Sequence, residues 1–201
     1  MKYLITTIAA VVLVGCGPSV DIHQACKDGN IEAVKQYLAA GWDVNTRDKA
    51  GLTPLLLAAS FGNDDIAKLL ISSGAKVSAK SNFGTTPLHY CGKEIAELLI
   101  AKGADVNAKC EIKNTPLYSA IYEGRRELAE LLIAKGADVN ATNYNVTPLE
   151  TPLDIAIKMG REISGLLRNN GGKTGDEFRE IAALLRKHGG KTGEELEAEG
   201  K

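Results

Sequence analysis

The feature that most constrains this chain is a run of thirteen residues that occurs twice. The run AELLIAKGADVNA occupies residues 96–108 and returns unchanged at residues 129–141, 33 positions later. A period between about 20 and 50 residues is the usual sign of a solenoid, in which each unit buries its apolar face against its neighbours. We therefore predict a stack of repeats rather than one central core.

The same period extends over most of the chain. Glycines spaced by 33, 29 and 33 residues are predicted to end successive helices: Gly41, Gly74, Gly103 and Gly136. A Thr-Pro-Leu triplet then opens the next unit at Thr53, Thr86 and Thr115. A threonine hydroxyl accepts a hydrogen bond from an unpaired amide of the first turn, and proline at the first helical position has no amide to leave unpaired.

Each unit is predicted to contain two helices. A glycine between them, such as Gly62 or Gly124, permits a tight turn. The second helix carries apolar residues at helical spacing, as in Ile66, Leu69 and Leu70, with charged residues on its other side. This pattern indicates a helix-turn-helix-loop unit.

These features resemble the ankyrin repeat, whose pattern includes a TPLHxA opening, a glycine within the repeat and a GADVN ending. Residues 86–89 read Thr-Pro-Leu-His, and residues 103–107 read GADVN. The resemblance implies an all-α ankyrin-repeat solenoid in residues 19–172, with about five helix-turn-helix repeats and projecting finger loops. The first unit lacks Thr-Pro, as expected of an atypical terminal repeat.

Two repeats depart from this pattern. In the third, residues 91–93 (CGK) lead directly into the second helix, so about four residues of the turn are missing and the first helix is predicted to be very short. In the fifth, Thr147 and Thr151 both precede a Pro-Leu pair. A start at Thr147 would place Pro152 inside the helix, where proline removes a hydrogen bond, so we predict a start at Thr151.

The C-terminal region contains a second duplication. Residues 161–177 (REISGLLRNNGGKTGDE) are closely repeated at residues 179–195 (REIAALLRKHGGKTGEE), 18 positions later. We interpret this as a duplicated terminal helix.

A capping box at residues 174–177 predicts a last helix that ends near His188. Three apolar residues of this helix are expected to cover the open end of the stack: Ile181, Leu184 and Leu185. We therefore assign residues 173–201 to a C-terminal capping helix and an acidic tail. Residues 194–199 of the tail have little to bury and are expected to fray.

The first 18 residues do not follow the repeat. An apolar run over residues 3–14 is too short to span a bilayer but suits the core of a secretory signal. Residues 13–16 (LVGC) resemble the lipobox of bacterial lipoproteins. The resemblance implies a signal peptide over residues 1–15, acylation of Cys16 and a lipidated linker over residues 16–18. An ordinary signal peptide with an incidental cysteine is the alternative.

Composition gives no sign of nucleic-acid binding or of a catalytic centre. The chain has 24 basic and 25 acidic residues, without the basic excess of a nucleic-acid-binding domain. Cys26, Cys91 and Cys110 show no zinc-ligand spacing, and His89 stands where ankyrin repeats use a structural histidine. We therefore predict no catalytic, cofactor-binding or metal-binding residues, and hence no enzyme.

The tetrapeptide GGKT, at residues 171–174 and again at 189–192, could be mistaken for part of a phosphate-binding loop. Neither occurrence follows a strand, and leucine stands where that loop requires its first glycine. We interpret both as helix C-caps.

The remaining candidate site is a surface. Ankyrin-like proteins bind other proteins through the finger tips and the exposed side of the first helices, and exposed aromatic residues are good anchors because they bury much area at small entropic cost. The predicted protein-binding surface comprises Arg47, Asp48, Lys49, Phe61, Asn82, Phe83, Glu111, Ile112, Lys113, Tyr122, Asn143, Tyr144 and Asn145.

We therefore expect a non-catalytic protein–protein interaction module, tethered to a membrane of the bacterial envelope by the lipid on Cys16. Gly17, rather than an aspartate, follows the cysteine and favours the outer over the inner membrane. The expected partner is another protein, with no nucleic acid, small-molecule substrate or cofactor. The alternatives are a stabilising or regulatory subunit of an envelope enzyme, and an enzyme or metal protein whose site has no recognisable motif.

Overall fold

The computed structural model describes residues 21–142, 151–159 and 175–199. Within these ranges there are ten α-helices, one 3-10 turn and no β-strand. The elements are α1 (Ile22–Asp28), α2 (Ile31–Ala39), α3 (Pro54–Ser60), α4 (Asp64–Ser72), the 3-10 turn (Pro87–His89), α5 (Lys93–Ala101), α6 (Pro116–Tyr122), α7 (Arg126–Ala134), α8 (residues 152–159), α9 (Gly175–Lys187) and α10 (Gly193–Ala198). The predicted signal peptide, Cys16 and the predicted boundary at residues 172–173 lie outside the described residues.

The elements from α1 to α9 form five successive pairs, and their buried residues make one continuous apolar cluster. This confirms the predicted all-α repeat solenoid. A search of the described part of the chain for a helix long and apolar enough to cross a bilayer finds none.

The first helix of a repeat begins where the Thr-Pro-Leu triplet predicts. The hydroxyl of Thr53 accepts a hydrogen bond from the Leu56 amide at 3.3 Å, and Thr115 caps Tyr118 in the same way at 3.2 Å. In the fifth repeat, residues 152–159 are helical, which confirms the start at Thr151. Each cap satisfies an amide that the helix leaves without an internal partner.

The core consists of leucine layers between neighbouring repeats. Leu70, Leu99 and Leu132 occupy the same position in three second helices, and all three are fully buried. Leu55 and Leu117 face them from the first helices and are buried to the same degree. Burial of one leucine side chain contributes about 1.5–3 kcal/mol to the free energy of folding. Each layer of leucines therefore stabilises the interface between two repeats.

The third repeat is short, as predicted. Its first helix is only the three-residue 3-10 turn, and α5 begins at Lys93. Arg125 of the next repeat covers the gap, because its guanidinium donates to the carbonyls of Tyr90 and Cys91. The second repeat contacts the first repeat in a similar way through a shorter residue. The side-chain amide of Asn63 donates to the Cys26 carbonyl at 2.7 Å. A longer side chain therefore spans the gap left by the missing turn.

An asparagine in the loop after each second helix also joins neighbouring units. Asn45 accepts from the Lys76 amide at 2.8 Å, and Asn107 accepts from the Asp138 amide at 2.7 Å. The second repeat has Ser78 at this position, and no hydrogen bond from Ser78 to the third repeat is present among the described residues. A small cavity of about 50 Å³ lies there, lined in part by Ser78 and Asp105. The interface between repeats two and three therefore lacks a bond that its neighbours have.

The second copy of the C-terminal duplication makes the contacts of a repeat helix. The Gly190 amide donates to the Leu185 carbonyl at 2.7 Å, as the Ala137 amide donates to the Leu132 carbonyl at 2.9 Å. Asn140 accepts from the Lys191 amide at 2.8 Å, which is the asparagine bridge seen between earlier repeats. Residues 179–187 of α9 thus make against the fourth repeat the contacts of a second helix.

The three apolar residues that the sequence analysis selected in this helix lie in or against the core. Ile181 and Leu185 are fully buried, and Leu184 packs against the same cluster. Gly189 ends the helix with a φ of +81°, so the second GGKT segment begins with a helix C-cap, as interpreted. The first GGKT segment lies outside the described residues.

The acidic tail does not fray as we expected, because residues 193–198 form α10. Thr192 and Glu195 make a reciprocal capping box, and Leu196 is buried. Arg186 forms an ion pair with Glu195 at 2.7 Å, and its hydrogen bond lowers the pKa of the Glu195 carboxyl to about 2. The expectation was wrong because it rested on the acidic charge of the tail. Burial of Leu196 and the capping box at Thr192 are enough to form a short terminal helix.

We predict that Ser78→Asn stabilises the stack. The new side chain should accept from the Asp105 amide, as Asn107 accepts from Asp138, and raise the free energy of unfolding by about 1 kcal/mol. The matched control Asn107→Ser should lower it by a similar amount. Urea unfolding of both variants measures the difference. An unchanged Ser78→Asn variant beside a destabilised Asn107→Ser variant would show that the short third repeat holds Asp105 out of reach.

We also predict that either duplicated copy supports the fifth repeat. Deleting residues 161–178 or residues 179–196 leaves one copy with the same apolar spacing and the same Gly-Gly-Lys-Thr ending. Both variants should unfold cooperatively. The variant that keeps the first copy should be less stable by about 1 kcal/mol, because Gly165 replaces Ala183 inside a helix. Thermal melts followed by circular dichroism give the order, and loss of the cooperative transition in one variant would show that the copies are not interchangeable.

Candidate protein-binding surface

Three finger loops lie within the described residues, and we call them finger 1 (residues 46–52), finger 2 (residues 79–85) and finger 3 (residues 108–114). In finger 1 the Asp48 amide donates to the Leu52 carbonyl at 3.0 Å, and the Gly51 amide donates to the Asp48 carbonyl at 2.9 Å. The same two bonds recur in fingers 2 and 3 with lengths between 2.9 and 3.2 Å. The repeat thus presents the same hairpin-like tip at each step.

Adjacent finger tips are hydrogen-bonded to each other. The Asn82 amide donates to the Ala50 carbonyl at 3.0 Å, and the Glu111 amide donates to the Phe83 carbonyl at 2.9 Å. The Asn82 side chain adds a bond to the Lys49 carbonyl at 3.1 Å. These bonds join the three tips into one strip, so its side chains are held in register before any partner binds.

Asp48, one of the predicted binding residues, also holds its own hairpin turn. One carboxylate oxygen of Asp48 accepts from the amides of Ala50 and Leu52 at 2.9 and 2.8 Å, and the side chain is only partly exposed. Ser81 has the same role in finger 2, where its hydroxyl accepts from the Phe83 amide. Asp48 therefore has a structural role in holding its hairpin turn.

The other predicted surface residues that the structure describes are exposed. Four large hydrophobic side chains are exposed among the described residues. They are Phe61, Phe83, Ile112 and Tyr122, with 57%, 64%, 46% and 57% of their surface accessible. Also exposed are the predicted polar residues Arg47, Lys49, Asn82, Glu111 and Lys113. Asn143, Tyr144 and Asn145 lie outside the described residues.

Two exposed lysines belong to this strip, although the sequence analysis did not select them. Lys80 and Lys109 occupy in fingers 2 and 3 the position that Arg47 occupies in finger 1, at spacings of 33 and 29 residues. The repeat period contained this signal, because aligning the three fingers on their turn residues places all three cations in one column.

His89 has a structural role inside the stack. Its ring accepts from the Thr86 amide at 3.2 Å, and the opposite ring nitrogen bonds to the Asn114 carbonyl at 3.1 Å. Burial lowers the pKa of His89, so the ring is neutral near pH 7 and ties the 3-10 turn to finger 3. His23, at the equivalent position of the first repeat, bonds at 3.3 Å to the carbonyl of Thr46 at the start of finger 1, whereas Asn114 ends finger 3.

The three described cysteines are buried free thiols. Burial raises the pKa of Cys26 and of Cys91 to about 12, so both thiols are protonated at neutral pH and are poor nucleophiles. A search of the described ranges finds no group of three or more His, Cys, Asp or Glu side chains that could hold a metal ion.

An open groove of about 410 Å³ lies between the third and fourth repeats, on the side of the inter-helix turns. Lys93, Glu94, Arg125 and Glu127 contribute to its walls. Arg125 is engaged by two backbone carbonyls and by an ion pair with Glu123 at 2.6 Å. A similar open groove of about 310 Å³, lined in part by Gly62 and Asp64, lies between the first two repeats, so this kind of groove is not specific to the short repeat.

Comparison with known proteins agrees with this geometry. A family model described as "Ankyrin repeats (3 copies)" matches residues 22–110 and 94–176, which is more than half of the chain. The chain belongs to the ankyrin-repeat family. Ankyrin repeats form protein–protein interaction modules, and the strip of joined finger tips is the candidate interaction surface of this ankyrin-repeat protein.

Several curated proteins share part of this ankyrin-repeat sequence. Human protein phosphatase 1 regulatory subunit 27 is 46% identical over 66 residues, which is 33% of this chain and 43% of that protein. A transient receptor potential cation channel subfamily A member 1 homologue of Caenorhabditis elegans is 42% identical over 73 residues, which is 36% of this chain and 6% of that protein. The match thus spans less than half of either relative.

Finger 3 of this ankyrin-repeat protein contains a strained residue. Lys113 has a φ of +60°, at the turn position where fingers 1 and 2 have Gly51 at +72° and Gly84 at +75°. A residue with a side chain in this left-handed conformation costs about 1–2 kcal/mol relative to glycine.

We therefore predict that Lys113→Gly raises the free energy of unfolding by about 1 kcal/mol. The matched control Gly84→Lys should lower it, because it places a side chain in the same conformation and directs its Cβ to 3.2 Å from the backbone of Cys110. Chemical denaturation measures both. A destabilised Lys113→Gly variant would contradict the strain and show that the lysine side chain has the larger effect.

Proposed function

We propose that this chain is a non-catalytic adaptor of a bacterial envelope, which a lipid on Cys16 tethers to a membrane and whose finger strip binds a partner protein. The observation that carries the proposal is that the strip has exposed apolar side chains on loops whose backbones are hydrogen-bonded to each other. Phe83 and Ile112 are exposed at neighbouring tips whose backbones are hydrogen-bonded to each other. A preorganised surface with aromatic and aliphatic anchors loses little entropy on binding, which favours affinity.

The tether is supported by the sequence of the N-terminal region. A short apolar run, followed by Leu13-Val14-Gly15-Cys16, resembles a lipoprotein signal, and Gly17 favours delivery to the outer membrane. The protein would then present its repeats at the membrane surface.

A second candidate is a regulatory or stabilising subunit of an envelope enzyme. It is favoured by the similarity to a protein named as a regulatory subunit of protein phosphatase 1. The two candidates share the finger strip and differ in whether the partner is an enzyme that stays bound.

We predict that the strip carries the binding energy. Combined replacement of Phe83, Ile112 and Tyr144 by alanine should weaken partner binding by about 2–4 kcal/mol, because large apolar side chains at the centre of an interface are its usual anchors. Folding stability should change little, since Phe83 and Ile112 are exposed.

Photo-crosslinking in envelope membranes tests this before the partner is known. A photoreactive amino acid at position 83 should give a discrete crosslinked protein that is lost when Ile112 and Tyr144 are alanine. The same probe at position 97, on the exposed outer side of α5, should not give that product. Crosslinks from position 97 that exceed those from position 83 would show that the partner binds the outer helices.

We also predict that Cys16→Ser abolishes lipidation. The substituted chain should accumulate as an uncleaved, unacylated precursor, because acylation of the cysteine precedes cleavage of a lipoprotein signal. Mass spectrometry of membrane and soluble fractions measures both changes. A wild-type protein that is cleaved but carries no lipid would contradict the tether and leave protein binding untouched.

A further inference from the structure

The finger strip has an excess of positive charge, although the chain as a whole does not. The complete chain has a net charge of -1. The three fingers nevertheless contain five basic residues and only two acidic ones, Asp48 and Glu111. The carboxylate of Asp48 is bonded to its own hairpin. Positive charge is therefore concentrated on the fingers, and the rest of the chain has an excess of negative charge.

Three of these cations form a column that we call the cation ladder: Arg47, Lys80 and Lys109. One member comes from each finger at the same position, and all three are exposed. Within the described residues none of them forms an ion pair with a carboxylate, whereas Lys35, Lys68 and Arg186 each have a carboxylate partner. The ladder is thus a repeated charge without an internal counter-charge.

The spacing of the ladder is set by the stack. Helices of neighbouring repeats pack about 8–10 Å apart, and hydrogen bonds between adjacent tips keep the fingers in step. An extended peptide in the polyproline II conformation has three residues per turn and advances about 3.1 Å per residue, so every third side chain lies on the same face and advances by about one repeat. A segment in this conformation that crosses the fingers would therefore bring residues i, i+3 and i+6 to Arg47, Lys80 and Lys109.

Apolar contacts are available beside the ladder. Phe83 and Ile112 follow Lys80 and Lys109 by three residues in their fingers, and both are exposed. A peptide with carboxylates at every third position and apolar residues between them would match both features. Its carboxylates would pair with the ladder while its apolar side chains cover Phe83 and Ile112.

We propose that the strip recognises an extended acidic segment of the partner protein, with carboxylates at every third residue and apolar residues between them. This inference rests on the proposed function, because it names the chemistry of the partner that the fingers bind. Complementary charge adds specificity and a faster association, and the apolar contacts slow dissociation.

The test uses three labelled 15-residue peptides and the folded chain. The first has glutamate at every third position with leucine and serine between. The second has lysine in place of glutamate, and the third has the first peptide's composition with its glutamates clustered. Fluorescence anisotropy should show the periodic acidic peptide binding at least 10-fold more tightly than either of the others at about 0.15 M salt, where exposed charges beyond a Debye length are screened.

Matched variants separate the ladder from general charge. Replacing Arg47, Lys80 and Lys109 by glutamine should weaken binding of the periodic peptide at least 10-fold. The control variant replaces Lys76, Lys102 and Lys135 by glutamine, which removes the same charge from exposed positions near the ends of the second helices. It should weaken binding of the periodic peptide less than 2-fold. Equal losses in both triple variants would overturn the proposal, because binding would then follow net charge alone.

Other anionic surfaces supply the remaining outcomes. Tighter binding of the ladder to phosphatidylglycerol vesicles or to duplex DNA than to the periodic peptide would overturn the acidic-peptide assignment. If crosslinks from position 83 persist in the ladder variant, the partner protein binds the strip without the cation ladder. The protein-binding function would then be supported, and the role of the ladder would be contradicted. Absence of crosslinks from both position 83 and position 97 in the unmodified chain would refute the protein-binding function itself.

Discussion

Burial of leucine side chains between neighbouring repeats is the interaction on which the rest of this structure depends. The helices from α1 to α7 are seven or nine residues long, shorter than the roughly 12–15 residues that an isolated helix needs for marginal stability in water. Leu70, Leu99 and Leu132 are fully buried only because another repeat packs on each side. The finger strip also depends on this burial, because the stacking of the repeats places the finger tips close enough to form hydrogen bonds with each other.

Polar bridges then decide how strongly each pair of repeats is joined. Asn45, Asn107 and Asn140 each accept a hydrogen bond from the backbone of the following repeat, and Ser78 does not. The third repeat has also lost its turn, which Arg125 replaces with bonds from a neighbouring unit. Stability in a solenoid is roughly a sum of such unit and interface contributions, so the middle of the stack depends on Arg125 more than the ends do.

The sequence predicted the candidate surface from loops that differ between repeats of otherwise constant pattern, and the structure shows which of these residues are exposed. The bond between the Asp48 carboxylate and its own backbone could not be predicted from aligned sequences, because it depends on the conformation of the turn. Lys80 and Lys109 were not selected because neither stands out in its own finger. Alignment places both in one column with Arg47, and the hydrogen bonds between tips place the three fingers side by side.

The sequence by itself determined the repeat period, the starts of the first helices, the glycines that end the second helices and the shortness of the third repeat. Each of these depends on local chemistry: a cap, a proline, a left-handed residue or a missing turn. Only the tertiary structure decided that α9 packs against α7 as a second helix does and that residues 193–198 form α10. The two duplicated copies have the same apolar spacing, so local pattern does not tell which contacts α9 makes. The outcome depends on the sum of contacts with α7, α8 and Asn140, which exist only once the repeats are stacked.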